Sequence, residues 1–170
     1  LIQHLGVDDG QVMLSTNKVP PSDLANIYNT ADFTINISDA EGFGLATLES
    51  LACGTPIIVN MTGGLQEQVT DWFGWGIQPA SRAVIGSLQV PYIYEDRISR
   101  EDFHNTLKKA LNVSNKSYKK MSLQGLNHVA NNYSFEQFNK NWVEAIDKII
   151  ERQGSWKTRK DYKRWHLLEV

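Results

Sequence analysis

Two glutamates, Glu41 and Glu49, stand eight residues apart on either side of a glycine-bearing turn, Gly42-Phe43-Gly44. Glycines at such a turn let the backbone approach a ligand closely. The turn feeds a stretch with helical periodicity from about Gly44 to Cys53, and the amides of Gly44, Leu45 and Ala46 at its start lack partners within the helix, which makes a ready site for phosphate. A pyrophosphate fits there, with Glu41 just beyond it, where a sugar hydroxyl would lie. The plainer reading is a tight turn whose Glu41 complements the helix dipole. Leu45, Leu48 and Ala52 recur at helical spacing, and Glu49, four residues after Leu45, falls on their stripe. That spacing turns Glu49 inward, where a carboxylate is costly unless something pairs with it. The two hydroxyls of a ribose or a Lys or Arg from a neighbouring element would each do so, and spacing does not choose between them. A second loop, Thr62-Gly63-Gly64, follows the next apolar run, with Glu67 after it. It reads as a further backbone face toward the same ligand or as a plain turn.

The elements that must position these residues alternate. Gln11 to Ser15 carries a short strand signal, and Pro20-Pro21 precedes a helix capped by Ser22 or Asp23 that runs through Leu24, Ile27, Tyr28 and Ala31. Phe33 to Ile37 and Thr55 to Asn60 read as strands around the Gly44–Cys53 helix, which Gly54 ends. Strand, helix, strand is a βαβ unit, and its repetition implies a parallel sheet flanked by helices. Leu65 to Thr70 reads as a short helix and Gly74 to Gln78 as a final strand. Residues 79 to 99, with Pro79, Gly86 and Pro91, read as a long loop. Helices follow near Arg100–Leu111, Tyr118–Asn132 and Phe135–Arg152, the last with Phe138, Trp142, Ala145, Ile146 and Ile149 on one stripe.

With 170 residues, 41% of them hydrophobic, the chain closes one core. The expected division is a domain over 1–153 and a basic, aromatic tail over 154–170. A formal net charge of -2 argues against a nucleic-acid binder. The tail holds Lys157, Arg159, Lys160, Lys163 and Arg164 among Trp156, Tyr162, Trp165 and His166. It reads as an end packing on a neighbouring domain rather than as a membrane contact. One cysteine, Cys53, and no zinc-spaced Cys/His cluster point to a reducing compartment, the cytoplasm. Cys53 reads as a packing residue and His4, His104, His128 and His166 as non-ligands. Leu1 to Gly6 reads as the last turn of a helix with a glycine stop and no initiator Met, so the chain is expected to begin inside something larger.

Glu41-Gly42-Phe43-Gly44-Leu45-Ala46-Thr47-Leu48-Glu49, followed by Ser50-Leu51-Ala52-Cys53-Gly54-Thr55-Pro56-Ile57-Ile58-Val59, resembles the E-x7-E signature of retaining glycosyltransferases with the GT-B fold, family 4 in particular. The likeness extends from Leu24-x-x-Ile27-Tyr28-x-x-Ala31-Asp32 to Gly63-Gly64-Leu65-Gln66-Glu67, and loosely to Tyr133-Ser134-Phe135. It implies the C-terminal, donor-binding half of such an enzyme, a Rossmann-like sheet lacking its first part. It also implies a hexosyltransferase activity that uses a nucleoside-diphosphate sugar as donor substrate, with no further cofactor and no bound metal. By the resemblance Glu49 holds the ribose and Glu41 approaches the transferred sugar. Gly42, Phe43, Gly44 and Leu45 meet the sugar and diphosphate, Thr62, Gly63 and Gly64 border the same ligand, and the segment Thr16 to Val19, with Lys18, lies against the base. Asn17 stands where the family commonly has Gly. The family's Arg and Lys that neutralise the leaving group fall upstream of Leu1, as does the domain for the acceptor glycan, lipid or small molecule, so this chain alone is expected not to transfer sugar. Two alternatives are a non-catalytic nucleotide-sugar or protein-binding module and a sugar-nucleotide epimerase of related fold.

Overall fold

The computed structural model describes residues 2–160. After a single 3-10 turn at Gln3–Leu5, closed by a left-handed Gly6, come α1 (Pro21–Thr30), β1 (Thr34–Asn36), α2 (Leu45–Ala52), β2 (Ile57–Asn60), α3 (Leu65–Gln68) and β3 (Gly74–Ile77). A hairpin of β4 (Ser81–Ile85) and β5 (Ile93–Arg97) follows, then α4 (Arg100–Leu111), α5 (Asn115–Asn132) and α6 (Phe135–Gln153). The three sheet strands are parallel in the order β1-β2-β3.

β2 is buried along its whole length, as an unbroken apolar run between two covered faces requires. Its alternate side chains build two layers. Ile57 and Val59 pack with Leu51, Leu65, Val69 and Phe73 on one face, and Ile58 packs with Ile77 and Ala110 on the other, beside Phe33, Trp75, Phe103 and Leu107. α2 hands the chain to β2 through a Schellman turn, with Gly54 N–H on Leu51 O and Thr55 N–H on Ser50 O. Each of α4, α5 and α6 begins at a serine whose hydroxyl accepts an amide of the first turn: Ser99 from Asp102, Ser114 from Ser117 and Ser134 from Gln137. The cap at Ser114 starts α5 three residues before the expected Tyr118.

The structure departs from the sequence reading in several places. Gln11 to Ser15 is not a strand: no neighbouring backbone pairs with it among the described residues, and Met13 and Leu14 are exposed. Helix α1 starts at Pro21 with no side-chain cap, because a proline fits the first helical position where its missing N–H costs nothing. Residues 79 to 99 form the antiparallel hairpin instead of a loop, with Ser81 opposite Arg97 and Ile85 opposite Ile93. Gly86 and Pro91 sit at its tip, where punctuating residues belong, so the breakers that suggested a long loop mark the turn of a ribbon. The stripe on α6 is present, but no residue of that helix is buried. Of the tail, residues 154–160 are described, with the Arg159 guanidinium over the Trp156 ring, and residues 161–170 lie outside the described residues.

Candidate functional site

The loops after β1 and β2 leave the C-terminal ends of adjacent parallel strands, the edge at which open α/β sheets receive ligands. They touch backbone to backbone. The Gly64 amide donates to Gly42 O at 3.2 Å. A Cβ on Gly63 would lie 1.7 Å from Glu41 O, and one on Gly64 would lie 2.7 Å from Phe43 Cα. The second pair of glycines therefore exists so that one loop can lie flat on the other, which neither sequence reading of Gly63-Gly64 had anticipated. Gln68, fully buried on α3, fixes the arrangement: its amide donates to Phe43 O and accepts from the Thr47 hydroxyl. The same Thr47 hydroxyl stands 2.6 Å from Gly44 O, so its one proton is shared between the two carbonyl oxygens. Gly44 itself is left-handed (φ 84°) and opens α2 with no side-chain cap, so the first amides of the helix face out beside the stacked loops.

Glu41 is half-buried at the edge of this platform, its Oε2 accepting from Asn36 Nδ2 at 3.3 Å. Glu49 corrects the inward orientation expected of it. The face of α2 that is buried carries Thr47, Leu48, Ser50 and Leu51, while Leu45, Glu49 and Ala52 share the exposed face. Of the expected stripe Leu48 alone is buried; apolar periodicity misplaced the others because half of the buried face is hydroxyl. Those hydroxyls are satisfied locally, Ser50 Oγ donating to Thr55 O (2.9 Å) and meeting Thr34 Oγ1 (2.8 Å).

Among the described residues no Lys or Arg pairs with Glu49. The partner it has is Tyr28 on α1, whose hydroxyl donates to Glu49 Oε2 at 3.0 Å. Burial, and after it the carboxylate, push that phenol up to about 12, so it remains a donor at any physiological pH. The pair borders a hollow of about 220 Å³ lined by Pro21, Leu24, Ala25, Tyr28, Glu49, Ala52 and Cys53. A second hollow, of about 570 Å³, opens beyond Phe43, Leu45 and Leu48 toward Tyr133, Phe138 and Trp142. The exposed face of α2 thus runs between two concavities.

The structure gathers Glu41, Gly42, Phe43, Gly44 and Leu45 with Gly63 and Gly64. Thr62 is buried beneath them, its hydroxyl turned to Asp96 at 2.9 Å. Lys18 is not drawn in: it lies in the irregular, exposed run before α1 and lines neither hollow. Tyr28, Gln68 and Asp96 were missed. Gln68 carried no signal, being one amide in a short polar helix, whereas Tyr28 sat in view on the stripe of α1. Among the described residues no three His, Cys, Asp or Glu side chains converge as a metal cage requires, and no helix is long and apolar enough to cross a membrane.

Comparison with known proteins agrees with this architecture. HepE of Anabaena, solved in complex with UDP and glucose, superposes with a TM-score of 0.63 at 15% identity, over 86% of this chain and 34% of its own. Sucrose-phosphate synthase of Thermosynechococcus elongatus does so with a TM-score of 0.67 at 20% identity, over 89% of this chain and 33% of its own. At these identities the likeness shows the fold, the parallel sheet and flanking helices of one half of a GT-B glycosyltransferase. A D-inositol 3-phosphate glycosyltransferase of Segniliparus rotundus is 41% identical over 69 residues, so the match spans 41% of this chain and 15% of that relative. Residues 1–125, which include both stacked loops and the two glutamates, match the model of the family described as Glycosyl transferases group 1. The chain belongs to the group 1 glycosyl transferases.

Proposed function

We propose that this domain holds a nucleoside-diphosphate sugar and presents it for retaining transfer to an acceptor hydroxyl, the acceptor being bound by a domain outside this chain. The observation that carries the reading is the pair of stacked loops beside the uncapped start of α2, with Glu41 in the loop before that helix and Glu49 midway along its exposed face. The diphosphate lies at the amides of Gly44, Leu45 and Ala46, where backbone N–H groups and the helix dipole favour negative charge. Glu41 then meets the sugar. The ribose meets Glu49 from the solvent side, over the hollow shared with Tyr28, and this replaces the buried pairing its spacing had suggested.

Pro21 lines that hollow and follows Lys18 by three residues, so the segment Thr16 to Val19 is proposed for the base side. The reading calls for no bound metal ion, and the lone Cys53 suits a cytoplasmic reaction. Charge on the departing diphosphate must be neutralised for the glycosidic bond to break, and neither α2 nor the two loops at its start contain a Lys or Arg to do so. The 170-residue chain alone is therefore proposed to bind without turnover.

Titration of the full-length protein with UDP, GDP and ADP tests this. One nucleotide binds the native protein, and Glu49→Ala weakens that binding about tenfold or more, the worth of one hydrogen-bonded charge. Because Glu49 is exposed, thermal stability stays close to native. Undiminished affinity in the variant removes Glu49 from the site.

A further inference from the structure

The hairpin β4–β5 lies outside the glycine loops, and a two-stranded ribbon is marginal by itself, so something must hold it. Most of its hold on the loops runs through one residue, Asp96, with Arg97 Nε adding an ion pair to Asp39 Oδ2 at 3.9 Å. Asp96, 6% exposed, donates its backbone amide to Asp39 O (2.7 Å) in the loop after β1 and accepts at its backbone O from Asn60 Nδ2 (2.5 Å) at the end of β2. Asn60 Nδ2 reaches Ser38 O as well, at 2.9 Å. The Asp96 side chain takes the Thr62 hydroxyl on Oδ2 (2.9 Å), and the Arg82 guanidinium on Oδ1 (2.6 Å) and Oδ2 (3.1 Å). A carboxylate so enclosed is tolerated only with partners on both oxygens. Arg82 in the first place, with Thr62 assisting, holds it below the usual carboxylate range against the upward push of burial.

The geometry of these bonds reaches the ligand platform. Thr62 precedes Gly63, whose left-handed backbone (φ 50°) lies against Glu41 O with no room for a Cβ. Fixing Thr62 therefore fixes how the second loop bears on the first, and with it the distance from Glu41 to the start of α2. Asp39, held by the same residue, is two positions before Glu41.

On the donor-site reading above, we propose that Asp96 is a positioning residue of that site: it locks the loops after β1 and β2 in the register that places Glu41 and the α2 amides on one ligand. It touches no donor itself. Arg82, whose side chain is largely exposed, serves by keeping the carboxylate charged and aimed at Thr62.

The test uses the full-length protein with UDP, GDP and ADP as probes in calorimetry, alongside thermal melting. Asp96→Asn keeps the shape and loses the charge. For whichever nucleotide the native protein binds, it is expected to weaken binding about tenfold, as loss of a charge-assisted bond does. Thr62→Val weakens binding similarly and keeps the question answerable if the Asn variant does not fold. The double variant is no weaker than the worse single one, because both cut the same link. A lower melting temperature with native affinity overturns the inference and leaves the donor site standing, and so do additive losses. A native protein that binds none of the three nucleotides overturns the donor-site reading and this inference with it.

Discussion

Helices α2 and α6 each present apolar residues at helical spacing, and the two meet opposite fates. In α2 the exposed stripe is Leu45, Glu49 and Ala52, while the face against β1, β2 and α5 carries Thr47 and Ser50 beside Leu48 and Leu51. In α6 the regular stripe of Phe138, Trp142, Ile146 and Ile149 lies open, Trp142 at 56% exposure. Apolar periodicity reports that a face is greasy; it does not report whether this stretch of chain covers it. Hydroxyls can go inside wherever carbonyls and other hydroxyls await them, as Thr47 and Ser50 show.

The contrast can be broken or sharpened experimentally. The largest effect is expected at the loop seam beneath α2. Gly63→Ala forces a Cβ into Glu41 O and is expected to cost about 3 kcal/mol or more in urea unfolding, with nucleotide binding lost as well. A native unfolding midpoint would mean the loops do not rest on one another.

A smaller effect is expected at His128 on α5, whose ring packs on Phe73 (4.6 Å between centroids) and Tyr133 (5.5 Å). Burial lowers its pKa in the fold. As pH falls through about 6.5 the unfolded chain takes up the proton first, so stability that is full above that value is lost progressively toward the lower, folded pKa. Melting temperature is expected to drop by a few degrees between pH 7.5 and 5.5. His128→Phe should flatten that slope, and an identical slope in the variant would place the titrating group elsewhere.

The smallest effect is expected on α6. Trp142→Ser in this 170-residue chain is expected to change unfolding free energy by no more than about 0.5 kcal/mol. A loss of several times that would show that the stripe is covered after all.

The βαβ order, the glycine turn, the strand at Thr55 to Asn60 and the closing helices were legible because each rests on local chemistry: an unbroken apolar run, a glycine stop, a period of 3.6 residues. Both glutamates were legible as candidates through their place around Gly42-Phe43-Gly44. What was not legible depends on partners distant in sequence. The hairpin was hidden because its strands are mostly exposed, so no buried apolar run marks them, and its inward carboxylate, Asp96, looks like any polar loop residue until Arg82 and Thr62 are seen around it. Glu49 was turned the wrong way because the side of α2 that packs is decided by where Thr34, Thr55 and Gln68 stand, which no local pattern encodes.

The phenol of Tyr28 gives Glu49 something a free surface glutamate lacks. With Oε2 already engaged, the side chain has surrendered much of its torsional freedom before any ligand arrives, freedom that for a glutamate amounts to roughly 1.5–2 kcal/mol when frozen completely. A hydroxyl meeting Oε1 finds an acceptor already aimed, and the entropic toll of aiming it has been met during folding rather than during association.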